Sequence, residues 1–419
     1  MAHNQYHTAA ADQGRLQIGA FDLNQGRPAA GVTINVTTSD GMVIDELVTD
    51  DSGQTAEIYL HTPPLSYSME AGQPRPYDEY GISASVEGYE PVRISGVQIL
   101  PDCSARQDVY LQPAAAPGES ATIRIPPPAL WGSYPQKIPE DPAKELPAET
   151  GFVVLPDPVV PEYIVVHAGT PANTGAQNYF VPFKDYIKNV ASCEIYANWP
   201  EETLKANVMA ILSFTLNRVY TEWYRSRGYN FTITNSTAYD QAFAYGRNIF
   251  REISNVVDSM FTSFITRPGI RQPLLAQYCD GKRVNCEPDG WMSQWGSKEL
   301  GDRGYGMDEI LKSFYGYDIY FMQAKLVDGV PYSFSGNNLQ MGSRGQDVRT
   351  IQEQLNAISN NYPAIKKIRV DGIFGDRTLE AVKKFQTVFQ LPASGIVDFP
   401  TWYRISDIYV AVTRMAELI

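Results

Sequence analysis

The chain has 419 residues, 43% of them hydrophobic and 19% charged, which is material for two or three folded domains and excludes disorder throughout. A formal net charge of −13 excludes the basic surface that a nucleic-acid partner requires. No apolar run is long enough to cross a bilayer, so membrane insertion is not expected.

The stretch MAHNQYHTAAADQG is polar and lacks the basic-then-apolar order of a secretory signal, so residues 1–15 read as a flexible tail. Residues 16–113 read as all-β. The runs RLQIGAFD, GVTINVTTS, GMVIDELVTD, QTAEIYL, YGISASVEG and DVYLQP are short, partly alternating and separated by Gly, Asn, Asp and Pro. Their order, with turn signals at Pro28-Ala29-Ala30-Gly31 and Asp50-Asp51-Ser52-Gly53, resembles the carboxypeptidase regulatory-like sandwich domain. That likeness implies a fold and no chemistry.

Residues 114–161 are too rich in proline for a core of their own. They predict extended, polyproline-like backbone with few internal hydrogen bonds. Such a segment is either a stiff spacer or a substrate held out for a protease.

Residues 162–335 form a central α+β domain that opens on the strand Tyr163-Ile164-Val165-Val166-His167. Two amphipathic helices follow and meet at a short break. Phe183, Ile187, Val190 and Ala191 share one face of the first helix. On the second, Leu204, Val208, Ile211, Leu212, Thr215, Leu216 and Val219 form a continuous stripe. Pro200 starts this second helix, and Glu201 and Glu202 read as ordinary first-turn acids. At the break, Glu194 stands among Cys193, Ile195, Tyr196 and Trp199. An apolar frame of this kind raises a carboxyl pKa toward that of a proton donor near neutrality, which makes Glu194 the catalytic candidate.

Further on, TAYDQAFAYGR leads into an apolar helix predicted near 248–264. The run QYCDGKRVNCEPDGWMSQWG then holds a two-cysteine loop and a Gly/aromatic turn, and a last helix is predicted from Met307. Glu287 and Asp289 lie just before that turn; a second carboxylate near Glu194 would permit a two-acid hydrolase. Four cysteines and four histidines are too few and too scattered for a disulfide scaffold or a three-histidine metal site. Cys279 and Cys286 form a disulfide, remain two free thiols, or bind zinc with help from His167 or a carboxylate. No cofactor is otherwise required.

Residues 336–419 read as a third unit with two amphipathic helices, each after a similar turn, around Gly342–Gly345 and Asp371–Gly375, closed by Gly395–Asp398 and Trp402. Gly342, Gly345, Val348, Gln352, Leu355, Asp371, Gly372, Phe374, Gly375, Thr378, Ala381, Phe385, Gly395 and Trp402 carry a resemblance to the three-helix peptidoglycan-binding domain. Cys193-Glu194-Ile195 ahead of Trp199-Pro200, and Gly290-Trp291-Met292-Ser293-Gln294-Trp295-Gly296, resemble the two motifs of the SpoIID lytic-transglycosylase family. This likeness implies that Glu194 is the acid, with Tyr196, Tyr278, Ser293 and Gln294 as candidates for positioning sugar or stabilising charge. An amidase, or a non-catalytic wall-binding activator, is the alternative.

The segment Tyr134–Glu140 and the run Thr150–Tyr163, with the domain order, resemble the clostridial spore cortex-lytic enzymes. The resemblance implies a zymogen that acts on cortex peptidoglycan, with the β unit as prodomain. A Csp subtilisin-like protease would cut it after Gln136, before Lys137, or as second choice between Val153 and Val154. It also implies that the protein is made in the mother cell and deposited on the spore, which suits the absence of an export signal.

Overall fold

The computed structural model describes residues 12–23, 28–114, 121–132, 135–138, 157–224, 227–287, 290–326, 338–389, 391–398 and parts of 401–409. Val153, Val154 and Asp289, and most of the tail, lie outside these residues.

The first unit contains β1 (Gln13–Asp22), β2 (Thr33–Thr38), β3 (Val43–Val48), β4 (Ile58–His61), the short helix α1 (Ser66–Met69), β5 (Asp78–Ser85), β6 (Val92–Ile99), β7 (Ser104–Leu111) and β8 (Ala121–Arg124). One sheet has the order β3-β2-β5-β6-β8, and the other is built on β7-β1-β4. Alternate residues of each strand point into the space between the sheets. Leu16, Ile18 and Ala20 from one sheet meet Ile34, Val36, Ile82 and Ile94 from the other, all buried in one cluster.

The central unit continues with β9 (Val159–Val160), β10 (Tyr163–His167), β11 (Asn178–Pro182), α2 (Phe183–Glu194), α3 (Glu201–Tyr220), β12 (Ile233–Thr234), β13 (Ile249–Phe250) and α4 (Arg251–Met260). After these come β14 (Ser263–Thr266), β15 (Tyr278–Cys279), β16 (Met292–Ser293), α5 (Gln294–Asp302), α6 (Met307–Tyr315), β17 (Tyr320–Gln323) and β18 (Lys325–Leu326). Helix α3 is buried on nearly every side, with Arg218, Asn207 and Ser213 enclosed as well as the apolar stripe, so it is the axis on which α2, α4, α5 and α6 pack.

Two predicted elements change. The helix near 248–264 is only α4, because Ile249–Phe250 pairs as a strand before it and Ser263–Thr266 pairs with β17 after it. The Gly/aromatic turn is the start of α5: Ser293 caps that helix by accepting from the Gly296 amide at 2.9 Å. Gly301 permits α5 to lie against α3, where a Cβ would stand 2.0 Å from Thr203 Oγ1.

The boundary at residue 113 is also corrected, and the described parts of residues 114–161, read as spacer or protease substrate, pack on the two units. Strand β8 pairs in parallel with β6 and so belongs to the first unit. Residues 126–132 and 135–138 then lie against the central unit, with Ala129, Leu130 and Lys137 buried. The two units are not beads on a string. Strand β13 of the central unit pairs with β7 and extends the first unit's sheet. Asn248 and the Gln98 backbone exchange hydrogen bonds at 3.1 and 2.9 Å, and Trp199 Nε1–H donates to Ser68 O at 2.8 Å. One apolar cluster runs through both units, from Leu16 to Ala324.

The last unit has its own core around Val348, Ile351, Leu355, Phe374, Phe385 and Trp402. Helices α7 (Gln346–Ile358) and α8 (Asp376–Val388) precede helical turns that begin at Thr401. The turn at Asp371–Gly375 and the later one at Gly395–Asp398 are held by the same device. Gln352 Oε1 accepts from the Asp371 and Gly372 amides, while its Nε2–H donates to Ile373 O and Thr378 Oγ1. Gln386 repeats the device on Gly395, Ile396 and Thr401. No helix among the described residues is long and apolar enough to cross a membrane.

Candidate active site

Glu194 is the last residue of α2, and Ile195 turns the chain into extended backbone at φ −135°, ψ 159°. Helix ends leave carbonyls without partners, yet here each of the last four is satisfied. Ala191 O accepts from the Ile195 amide and Ser192 O from Arg247. Cys193 O accepts from the Ala129 amide at 2.7 Å, and Glu194 O from Gln294 Nε2–H at 3.3 Å. The position of Glu194 is therefore fixed by elements from three parts of the chain, including the proline-rich segment.

Its carboxyl group is fully buried. Oε1 accepts from the Ala242 amide at 2.7 Å, and Oε2 from the Tyr278 hydroxyl at 2.5 Å. Burial pushes the Glu194 pKa up to about 7, against the opposing pull of the Lys137 ammonium, the Tyr278 hydroxyl and the Ala242 amide. A carboxyl group in this state carries a proton near neutrality and can also release it.

The Tyr278 hydroxyl accepts in turn from Gln241 Nε2–H at 3.1 Å. Gln241 Oε1 accepts from Tyr186 and Thr215 at 3.0 and 2.8 Å, so its amide orientation is set and its donor faces Tyr278. The neighbouring Asp240 is wholly enclosed and accepts from Arg218, Tyr224 and both the amide and hydroxyl of Thr234. That buried pair anchors residues 240–242 and hence the amide that meets Glu194. None of Gln241, Asp240, Ala242 or Arg218 is singled out by the sequence reading. A signal was present: Arg218 interrupts the apolar α3 face, which calls for a buried acid elsewhere.

Of the candidates, Tyr278 and Gln294 come to Glu194, Tyr278 to its carboxylate and Gln294 to its backbone. Ser293 is occupied as the α5 cap and lies so close to Gly281, at φ +76°, that a Cβ there would stand 1.8 Å from its Oγ. Tyr196 faces elsewhere, edge-on to Trp199 and Trp295, under a cavity of about 140 Å³ that Trp131, Arg283 and Tyr67 help to line. Glu202 accepts from Lys205 and the Met307 amide, a first-turn acid stapling α3 to α6. Glu287 is exposed on its loop.

Cys279 and Cys286 are joined in a disulfide, so their sulfurs are not thiolate ligands here. His167 pairs with Asn178 and stacks on Phe231. Among the described residues no group of three or more His, Cys, Asp or Glu is arranged to hold a metal. Cys193 is a free, buried thiol. Gln136 is exposed, while Lys137 beside it is 3% exposed, its Nζ donating to Asp240 O at 3.0 Å.

The fold and site define a multidomain α+β protein with a buried carboxyl group, Glu194, whose pKa is raised by that burial, and a separate helical module. Residues 174–260 match the Stage II sporulation protein family, and residues 344–405 match the peptidoglycan binding domain family. The two matches together indicate a cell-wall or sporulation-related, peptidoglycan-active protein with a peptidoglycan-binding domain. Among solved structures, the SleB N-terminal domain is 32% identical over 18% of this chain and 97% of that one, with a TM-score of 0.16. A minor pilin of Streptococcus agalactiae is 16% identical over 26% of this chain and 48% of that one, with a TM-score of 0.19. The 5-hydroxyisourate hydrolase of Klebsiella pneumoniae is 18% identical over 24% and 92%, with a TM-score of 0.17. No curated protein sequence matches the chain.

Proposed function

We propose that the chain is the zymogen of a spore cortex-lytic transglycosylase, similar in domain order to the clostridial enzyme SleC, with Glu194 as its general acid and base. The observation that carries this is the buried Glu194 carboxyl group, held by two donors and titrating near 7. The protonated acid gives its proton to the oxygen between N-acetylmuramic acid and N-acetylglucosamine. The C1–O bond breaks, the glucosaminyl 4-hydroxyl leaves, and positive charge develops at the muramoyl C1. The Glu194 carboxylate then takes the proton of the C6 hydroxyl, whose oxygen closes on C1 to give the 1,6-anhydro ring. No water is consumed, and one carboxyl group is enough, unlike the two-acid hydrolases. A general acid of this kind contributes on the order of 10²–10⁴-fold to rate.

The peptidoglycan-binding module supplies affinity for the wall. Its own core lets it bind while the central unit works on a neighbouring strand. The proposed activator is a Csp subtilisin-like protease acting in the linker, and the proposed location is the cortex or coat of the spore. The joined cysteines suit a protein that ends outside the reducing cytosol. No metal enters the proposed reaction.

Cortex digested with linker-cleaved protein and analysed by mass spectrometry of the muropeptides tests the reading. Anhydro-muramic ends are expected. Free peptide stems would indicate an amidase, and unchanged cortex a wall-binding activator. Full activity in a folded Glu194→Gln variant would sink the assignment of the acid.

A further inference from the structure

We infer that Lys137 is an internal ligand of Glu194: in the uncut chain its ammonium group occupies the place where the positively charged glycosyl centre would form, and so keeps the site closed. This rests on the transglycosylase reading above and names the regulation of the same site.

Lysine is almost never enclosed unless it has partners. Lys137 lies between two exposed neighbours, Gln136 and Ile138, yet is itself 3% exposed. Its Nζ donates to Asp240 O at 3.0 Å and stands 4.4 Å from the centre of the Tyr278 ring and 5.0 Å from that of Phe214. The Glu194 carboxylate feels its charge directly. A carboxylate, a carbonyl and two aromatic faces make a site for a cation. The oxocarbenium-like state of glycosidic cleavage asks for the same surroundings.

The segment that delivers the lysine is tied at both ends of its crossing. Upstream, the Ala129 amide donates to Cys193 O, and Arg283 donates to Ala129 O and Gly132 O at 2.7 and 2.6 Å. Downstream, the Ile138 amide donates to Ala238 O at 2.8 Å. The groups facing Glu194 are Lys137 from this segment, Tyr278 from β15 and Cys193 from α2; Tyr186 reaches it through Gln241, and Arg218 is matched by Asp240. Of these, Lys137 alone brings a positive charge onto the carboxylate. It therefore blocks the site by volume and also draws off the proton that a general acid needs. Cleavage beyond Ile138 leaves these hydrogen bonds in place but removes the covalent link that holds the Lys137 strap and the first unit to the central unit, so that the strap can lift away. A cut at Gln136–Lys137 first requires the segment to lift, whereas a cut nearer Val153–Val154 leaves Lys137 on the prodomain side.

The test uses the full chain in four forms: wild type, Lys137→Ala, Lys137→Met, and wild type cut at a protease site introduced between residues 141 and 150. Anhydro-muropeptide release is one readout, and titration of the Glu194 carboxyl band by isotope-edited infrared spectroscopy is the other. Uncut Lys137→Ala should release product at least about tenfold faster than uncut wild type. Lys137→Met keeps the volume and loses the charge; it should stay slow, and its carboxyl midpoint should rise by about one unit or more. A silent uncut Lys137→Ala alongside an active cut chain, or an unmoved midpoint in Lys137→Met, overturns the lysine's role and leaves the transglycosylase reading intact. A raised midpoint with no anhydro product from the cut chain supports Lys137 as the ligand of Glu194 and removes the transglycosylase reading instead.

Discussion

The Tyr278 hydroxyl donates to Glu194 Oε2 across 2.5 Å, which stabilises the ionised carboxyl group inside surroundings that favour the neutral one. The two influences act in opposite directions on the same proton. Tyr278→Phe removes the stabilising donor and leaves the Gln241 Nε2–H that faces it without an acceptor. The basic limb of the pH–rate profile of cleaved protein should therefore move to higher pH. Unfolding should be easier by about 1–3 kcal/mol, the cost of a buried polar group left unpaired. A basic limb at unchanged or lower pH would show that Tyr278 does not act on the Glu194 proton.

The raised pKa of Glu194 also sets a pH dependence of stability. In the folded chain the carboxyl titrates at about 7, and in an unfolded chain at its ordinary 4.5. The folded state therefore holds the proton more tightly. The resulting stabilisation is fully present below 4.5, falls as pH rises toward 7 and is gone above that. Its size is roughly 3 kcal/mol at most. Denaturant unfolding of uncut wild type and Glu194→Gln between these limits should show this slope in wild type and lose it in the variant. Parallel curves would mean that the buried carboxyl group is not the source.

How far the sequence predicts this site depends on distance along the chain. The break that carries Glu194 was legible because Trp199-Pro200 starts one helix and apolar spacing ends another within six residues. The helical module was legible because its glycines sit in local turns and Val348, Gln352 and Leu355 recur at helical spacing. Tyr278 was reachable through its neighbouring motif, but its orientation depends on Gln241, 37 positions away, and periodicity has no bearing on such a pair. Lys137 was hardest to foresee. Proline-rich composition predicts extended backbone, but an extended strap can lie across a cleft as well as span a gap. What decides between them is a set of hydrogen bonds to Cys193, Ala238 and Asp240 that no local pattern encodes. Tyr196 shows the reverse error: it stands two residues from Glu194, but α2 ends at Glu194 and the chain turns at Ile195, so its ring faces the aromatic cluster instead.

The disulfide between Cys279 and Cys286 closes the turn in which Asp280 gathers the amides of Lys282, Arg283 and Val284. Arg283 extends from that turn to the carbonyls of Ala129, Trp131 and Gly132. Opening so short a loop by reduction should cost about 2–3 kcal/mol. It should also loosen the strap. Hydrogen exchange with and without reductant should show faster exchange at Ala129 and Ile138 in the reduced chain, with the α7 and α8 amides unchanged. Because the proposed chemistry needs no metal, a zinc chelator should leave the rate of the cut, oxidised chain where it was. A rate that falls with chelator and returns with zinc would revive the metal reading of the cysteines.

The two cores predict two unfolding events. The cluster from Leu16 to Ala324 contains neither Val348 nor any other residue of the last unit, whose own cluster closes around Trp402. Calorimetry of the full chain should resolve a larger and a smaller transition, since separate cores unfold separately. Gln352→Leu should lower only the smaller one. The substitution strands the Asp371 and Gly372 amides inside the module, a loss of roughly 2 kcal/mol or more. Binding to isolated peptidoglycan should fail in parallel, at temperatures where the larger transition has not begun. If both transitions moved together, the module would be part of the main cooperative unit, and its core would be stabilised by contacts with residues 12–326 as well as by its own packing.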